Sequence, residues 1–193
     1  MAEENEYGEG RGGSALRGIF EWVAVFAVAM ALMFGIRAFV AEPFTVPTGS
    51  MEPTILIGDN VIAQKVTLEV GQQVSAGDIV VFRNPVATSE HDILVKRVIA
   101  VGGQTVDLRD GVVYVDGRAT DEPYTQGSTY PLDTQADGVE VSFPYTVPEG
   151  SVWLMGDNRE NSADSRYFGA VPVENLIGVA FFRYWPLDRV GTL

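Results

Sequence analysis

The 193-residue sequence predicts a mainly β protein: an antiparallel β-sheet domain with a small β insertion lobe, preceded by one N-terminal transmembrane helix. Three observations carry that reading. Short apolar runs alternate with turn signals through residues 41–193, the pattern of strands that bury one face. One stretch near the N-terminus is long, apolar and without a polar stripe, as a bilayer span requires. Beyond it, no window repeats at the helical period.

Residues 1–17, MAEENEYGEGRGGSALR, are acidic and glycine-rich and are expected to form a disordered tail. The formal G-x-G-x-x-G at Gly8, Gly10 and Gly13 follows no strand, so it is a chance match rather than a dinucleotide site. Residues 18–40 are expected to be the membrane anchor. From Trp22 to Ile36, fifteen residues carry no charge, and the twenty from Trp22 to Ala41 carry only Arg37. About 20 apolar residues span a bilayer, and Arg37 can snorkel to its surface. A cleaved signal peptide would want a basic leader, but four glutamates precede the span against two arginines. Arg11 and Arg17 lie before the span and only Arg37 close behind it. The basic side is expected to be cytoplasmic, with residues 41–193 outside.

Within that outer part, VIAQKV, DIVVF, ILVKRVIAV, VVYVDG, SVWLM and GVAFFRYW read as strands. Asp110-Gly111 between TVDLR and VVYV is a hairpin signal. Residues 119–146 are polar and proline-containing and are expected to be an insertion lobe or long loop. Phe181, Phe182, Tyr184 and Trp185 are expected in the core, with an interfacial surface resting on lipid as the second reading.

Composition narrows the chemistry. A formal net charge of −13 argues against nucleic-acid partners, which require a basic footprint. No cysteine is present, which excludes disulfides, thiolate catalysis and cysteine-ligated zinc. His91 is the single histidine, too few for a histidine-rich metal site. No metal or cofactor is expected.

In VPTGSMEPTI, Ser50 follows a glycine and lies between Pro47 and Pro53, so it occupies a loop outside regular structure. If it is a nucleophile, its base comes from a short list. Arginine is too basic to accept a proton, leaving His91, Lys65 and Lys96. His91, between Glu90 and Asp92, reads as a surface residue. Lys65 shares a strand face with Thr67 and Glu69 and reads as solvated. Lys96 shares its face with Leu94, Val98 and Ala100. Burial of that face would disfavour the ammonium and lower the pKa towards a usable base. On the residues alone, a lysine that snorkels off a strand edge or pairs with a carboxylate is the commoner outcome, and a Ser50–Lys96 dyad is the alternative. The third stretch, GDNRENSADSRYFG, packs three acids, two arginines, two serines and two asparagines into fourteen residues. A calcium loop fails because Arg159 occupies its third position. A solvated turn is one reading; a loop whose hydroxyls orient a base is the other.

PTGSMEPTI, GDIVVF, KRVIAVGG, GDNRENSADSRYFGAVP and GVAFFRYWPLDRVG, in this order behind an anchor, resemble the type I signal peptidases of bacteria over roughly residues 19–193. The resemblance implies a membrane-bound serine endopeptidase that removes signal peptides from exported preproteins through an acyl-enzyme. It implies Ser50 as nucleophile, Lys96 as general base and Ser162 as the hydroxyl that hydrogen-bonds and orients Lys96. Thr48, where many relatives carry serine, would share the oxyanion with the Ser50 backbone N–H. Asp164 and Arg166 would be structural, with Asp157 and Arg97 paired nearby. Phe44, Val46, Met51, Ile55 and Val95 would form small pockets that select residues such as Ala at −1 and −3. VIAVGG departs from the Pro-Gly usual in the lysine box, at a turn. The lipid bilayer and the preprotein signal peptides are the expected partners, and a monomer the expected state. The alternatives are a catalytically inactive membrane-anchored β-domain that binds a partner, and a self-cleaving repressor-type Ser–Lys peptidase. The latter carries a DNA-binding module in place of an anchor.

Overall fold

The computed structural model of the protein describes residues 12–69, 74–86 and 91–193. Helix α1 spans Gly12–Phe39. It starts ahead of the expected span because Gly12 to Arg17 continue the helix; the rest of the expected tail, residues 1–11, lies outside the described residues. Its 28 residues give a length of about 42 Å at 1.5 Å per residue. Residues Gly18–Gly35 are long and apolar enough to cross a membrane, and Phe20, Trp22 and Phe26 are exposed along them. Large apolar side chains exposed along such a stretch suit hydrocarbon rather than water.

The β unit, Val40–Leu193, carries the rest. In chain order its elements are β1 (Ala41–Thr45), β2 (Asn60–Gln64), α2 (Val66–Glu69), β3 (Ile79–Arg83), β4 (Ile93–Val101), β5 (Thr105–Arg109), β6 (Val112–Val115) and β7 (Arg118–Ala119). These are followed by β8 (Tyr145–Thr146), β9 (Ser151–Met155), α3 (Ser165–Phe168), β10 (Val171–Pro172), β11 (Leu176–Trp185) and β12 (Gly191–Thr192). The large sheet runs β1-β2-β11-β3-β4-β9-β10, with β12 alongside β11, and a second sheet runs β7-β6-β5-β8. All pairings of named strands are antiparallel, so the mainly β expectation holds.

The strand β4 organises the molecule. Its first half alternates: Val95 packs with Val46, Val61 and Val81, while Leu94 and Val98 pack with Val80, Phe82 and Leu154. The register against β9 then shifts between Val98 and Ala100, a bulge that breaks the two-residue period. Ile99 and Ala100 consequently both pack in a third cluster, with Val106, Val113 and Trp153 beneath the small sheet. The lobe is larger than residues 119–146: its sheet begins at Thr105, and the polar segment is the long connection from β7 to β8. Asp110 and Gly111 both have positive φ in the β5–β6 hairpin, as the Asp-Gly signal requires. The expected aromatic core is corrected: Phe181, Tyr184 and Trp185 are exposed, with Leu187 beside them. Leu176, Gly178 and Ala180 alternate inward, but the register against β2 shifts between Ala180 and Phe182 and again between Arg183 and Trp185. The alternation therefore does not carry into the second half, where Phe182 is half-buried and Phe181, Tyr184 and Trp185 are exposed.

Candidate active site

Three segments meet at Ser50. The first is the loop after β1. A short 3-10 turn, Gly49–Met51, follows Thr48, whose extended backbone caps the turn without a side-chain hydrogen bond. Thr48 Oγ1 is therefore not used for capping and sits 3.5 Å from Ser50 Oγ. Met51 and Ile55 are fully buried and pin the loop into the cluster with Val46 and Val61.

The second is β4. Lys96 is buried, 2% exposed, on the face shared with Leu94 and Val98. Its Nζ lies 2.6 Å from Ser50 Oγ and 3.2 Å from the Val95 carbonyl oxygen. Burial lowers the amine's pKa from 10.5 to about 8, against Asp164 and Asp157, which push it back up, and with a further lowering by Arg166. An amine so placed is partly neutral near pH 8 and can exchange a proton with the hydroxyl it touches.

The third is the loop that β9 delivers, residues 156–164. Its buried charges are paired. Arg97 grips Asp157 through Nε at 2.8 Å and Nη2 at 2.7 Å, and Thr54 Oγ1 donates to the same carboxylate at 2.6 Å. Arg166 grips Asp164 through Nε and Nη2, both at 2.9 Å. Asp164 also accepts from the Gly156 and Arg166 N–H groups, capping α3. Buried bidentate pairs of this kind cost desolvation but become expensive to break once formed.

Ser162 differs from the expectation. Among the described residues its buried hydroxyl has no hydrogen-bond partner, so the implied bond to Lys96 is not formed. It packs instead over Gly156, where an added Cβ would fall within 3.0 Å of Ser162 Oγ and of the Ser50 carbonyl oxygen. Of the five pocket residues, Phe44, Val46 and Val95 line a cleft of about 320 Å³ together with Thr48 and Ser50. Met51 and Ile55 do not line it; they are buried behind it. His91, expected on the surface, lines this cleft and the adjoining one at Lys96. Lys65, expected to be solvated, pairs with Glu42 at 2.8 Å.

Sequence reasoning missed four participants. The Asn158 N–H donates to the Ser50 carbonyl at 3.1 Å and its Nδ2 to the Gly49 carbonyl at 3.2 Å. Arg159, buried, forks onto Glu122 at 2.7 and 2.8 Å, and the Arg97 guanidinium stacks 3.8 Å over the Tyr124 ring. A charge count carried the signal. Three arginines at the site need three acids, the GDN box supplies Asp157, Asp164 and an exposed Glu160, and the third partner must come from elsewhere.

A buried amine against a loop serine defines a hydrolase class, the serine peptidases, and comparison with known proteins gives the family. The family described as signal peptidase, peptidase S26, matches residues 19–185. The chain is 41% identical over 169 residues to the probable signal peptidase I-2 of Synechocystis, covering 86% of this chain and 72% of that protein. It is 36% identical over 222 residues to signal peptidase I of Mycobacterium tuberculosis, covering 90% and 74%. The crystal structure of a signal peptidase I from Enterococcus faecalis aligns with a TM-score of 0.42 at 30% identity, covering 56% of this chain and 97% of that one. The chain belongs to the signal peptidase S26 family. It is a serine peptidase, of a family that cleaves signal peptides from preproteins.

Proposed function

We propose that this chain removes signal peptides from exported preproteins at a membrane surface, with Ser50 as nucleophile and Lys96 as general base. The observation that carries the reading is the 2.6 Å approach of a buried amine to the Ser50 hydroxyl. Lys96 Nζ takes the proton as Ser50 Oγ bonds to the scissile carbonyl carbon. The developing oxyanion is met by the Ser50 N–H and the Thr48 hydroxyl. The ammonium returns its proton to the leaving amine, and an ester remains on Ser50. Lys96 then takes a proton from water, whose hydroxide breaks the ester and frees the serine. Ser162, buried and unpartnered, is the acceptor for the Lys96 ammonium in the charged steps, a use that explains its otherwise costly burial.

The substrate lies extended along the outer edge of β1, which among the described residues pairs with β2 alone, and sets small side chains into the cleft of Phe44, Val46 and Val95. Apolar α1 and the family support membrane anchoring. Arg11 and Arg17 support a cytoplasmic N-terminus, and the exposed Phe181, Tyr184, Trp185 and Leu187 support an aromatic surface that rests on lipid. Ser50 lies nine residues past Ala41, within about 30 Å of the span's end, where a membrane-embedded signal peptide presents its cleavage site. We take the working unit to be a monomer.

The test is detergent-solubilised protein with a preprotein carrying Ala at −1 and −3. Cleavage after the −1 residue, lost in Ser50→Ala, is the expected result; intact preprotein with the wild type would favour the binding module. Below the amine's pKa of about 8, kcat/KM is expected to rise about tenfold per pH unit and then level off. A profile flat from pH 6 to 9.5 would count against Lys96 as base.

A further inference from the structure

The lobe's connecting segment does more than cover surface. Residues 122–129 lie across the 157–159 loop as a strap, joined to it by backbone and side chains. The Gln126 N–H donates to the Asp157 carbonyl at 2.8 Å, and the Arg159 N–H donates to the Gln126 carbonyl at 2.9 Å. At the strap's start, Glu122 takes both arms of Arg159, and Thr129 Oγ1 at its end accepts from Arg159 Nη1 at 2.6 Å. Glu122 also accepts the Tyr124 hydroxyl at 3.1 Å. Burial, followed by Glu122 itself, raises the pKa of that phenol, which keeps its proton for the bond. The Tyr124 ring in turn lies under Arg97, the partner of Asp157. One carboxylate on the lobe thus fixes the side chains on either side of Asn158, and Asn158 is the residue that holds the carbonyls of Gly49 and Ser50.

We propose that Glu122 is a positioning residue for the reaction: through Arg159 it holds Asn158, and through Asn158 it sets the Gly49–Ser50 turn that carries the nucleophile. Arg159 is 1% exposed, so without Glu122 a buried cation loses its counter-charge and the loop must shift to rehydrate it. A displacement of about 1 Å at the nucleophile costs up to about 100-fold in rate. No residue of the strap lines the substrate cleft of Phe44, Val46 and Val95, so the effect is expected on kcat rather than on KM. This rests on Ser50 being the nucleophile, and Ser50→Ala tests that separately: if it still cleaves, both readings fall.

With Ser50→Ala inactive, the deciding experiment is steady-state cleavage by full-length Glu122→Gln, Glu122→Asp, Asn158→Ala and Thr129→Val in detergent, with thermal unfolding of each followed by circular dichroism. Glu122→Gln is expected to lower kcat about 10- to 100-fold while KM stays within twofold. Glu122→Asp, which keeps the charge, is expected to recover part of that loss. In the double variant of Glu122→Gln and Asn158→Ala, the combined loss is expected to be smaller than the product of the two, because both act on one turn. Wild-type kcat in Glu122→Gln would overturn the proposal. So would multiplicative losses in the double variant, or a kcat loss that disappears wherever the variant is fully folded. If Glu122→Gln does not fold, Thr129→Val carries the same comparison with a smaller loss; an unchanged kcat there, or a KM change in its place, overturns it too.

Discussion

Lys96→Arg is expected to lose at least about 10⁴-fold in kcat although it keeps the charge, the scale of loss when a dyad or triad member is removed. Arginine cannot give up its proton at any pH the fold tolerates, so a guanidinium in this position has nothing with which to accept the Ser50 proton. Cleavage retained in Lys96→Arg would transfer the base role to another group, and His91, which lines both clefts, would be the one to test. Stability separates chemistry from damage to the fold. The folded amine titrates near 8 and the unfolded one near 10.5. Below about 8 both states hold the proton, and above about 10.5 neither does. Between the two the unfolded chain binds more protons, so stability rises with pH across that window. The buried charge therefore costs about 3 kcal/mol at neutral pH, at about 1.4 kcal/mol per pKa unit. Lys96→Met should be inactive yet more stable at pH 7, with the gain shrinking between pH 8 and 10.5 in urea titrations. A destabilised, unfolded Lys96→Met would show that the amine is held by favourable contacts rather than against its solvation.

Gly156→Ala is expected to be the most damaging single methyl group in the molecule. The position directly follows β9, and an added Cβ would meet the Ser162 hydroxyl and the Ser50 carbonyl oxygen inside 3.0 Å. The Ser50 carbonyl already accepts from Asn158, and the Gly156 N–H is committed to Asp164, so neither the Ser50 backbone nor Gly156 itself can retreat cheaply. Overpacking of this kind costs about 1–3 kcal/mol in stability. The movement it forces falls on the nucleophile's own backbone, so kcat should drop by about 100-fold or more. Wild-type kcat with only a lowered melting temperature would show that the loop relaxes away from Ser50 instead.

The β class and the long apolar helix were legible because each leaves a local trace, alternation and an uncharged run. The residues alone favoured a snorkelling or carboxylate-paired Lys96, and its pairing with Ser50 was expected only through the resemblance of the ordered motifs. The parity of β4 placed Lys96 and Arg97 on opposite faces, and that survives because the bulge comes after Val98. What alternation could not foresee is the bulge itself, which gives Ile99 and Ala100 to one cluster. Nor could it foresee that Met51 and Ile55 back the cleft instead of lining it, since loop residues have no period to say which way they face. The aromatic run of β11 was misjudged for a related reason: its composition suits core and interface equally. Glu122 and Tyr124 were invisible in a stretch read only by polarity, because their partners are more than 25 residues away along the chain, a matter of topology rather than pattern.

The strap also bears on any attempt to build a smaller enzyme. Excising the lobe would look like harmless trimming of a polar appendage. It would take Glu122 from Arg159 and Tyr124 from Arg97, leaving one buried guanidinium unneutralised and the other stripped of its stacking partner. Stranding a buried ion costs about 3–5 kcal/mol, a large fraction of what a domain has to spare. A minimised version would need Arg159 replaced by an apolar side chain in the same step, with Arg97 kept to neutralise the buried Asp157.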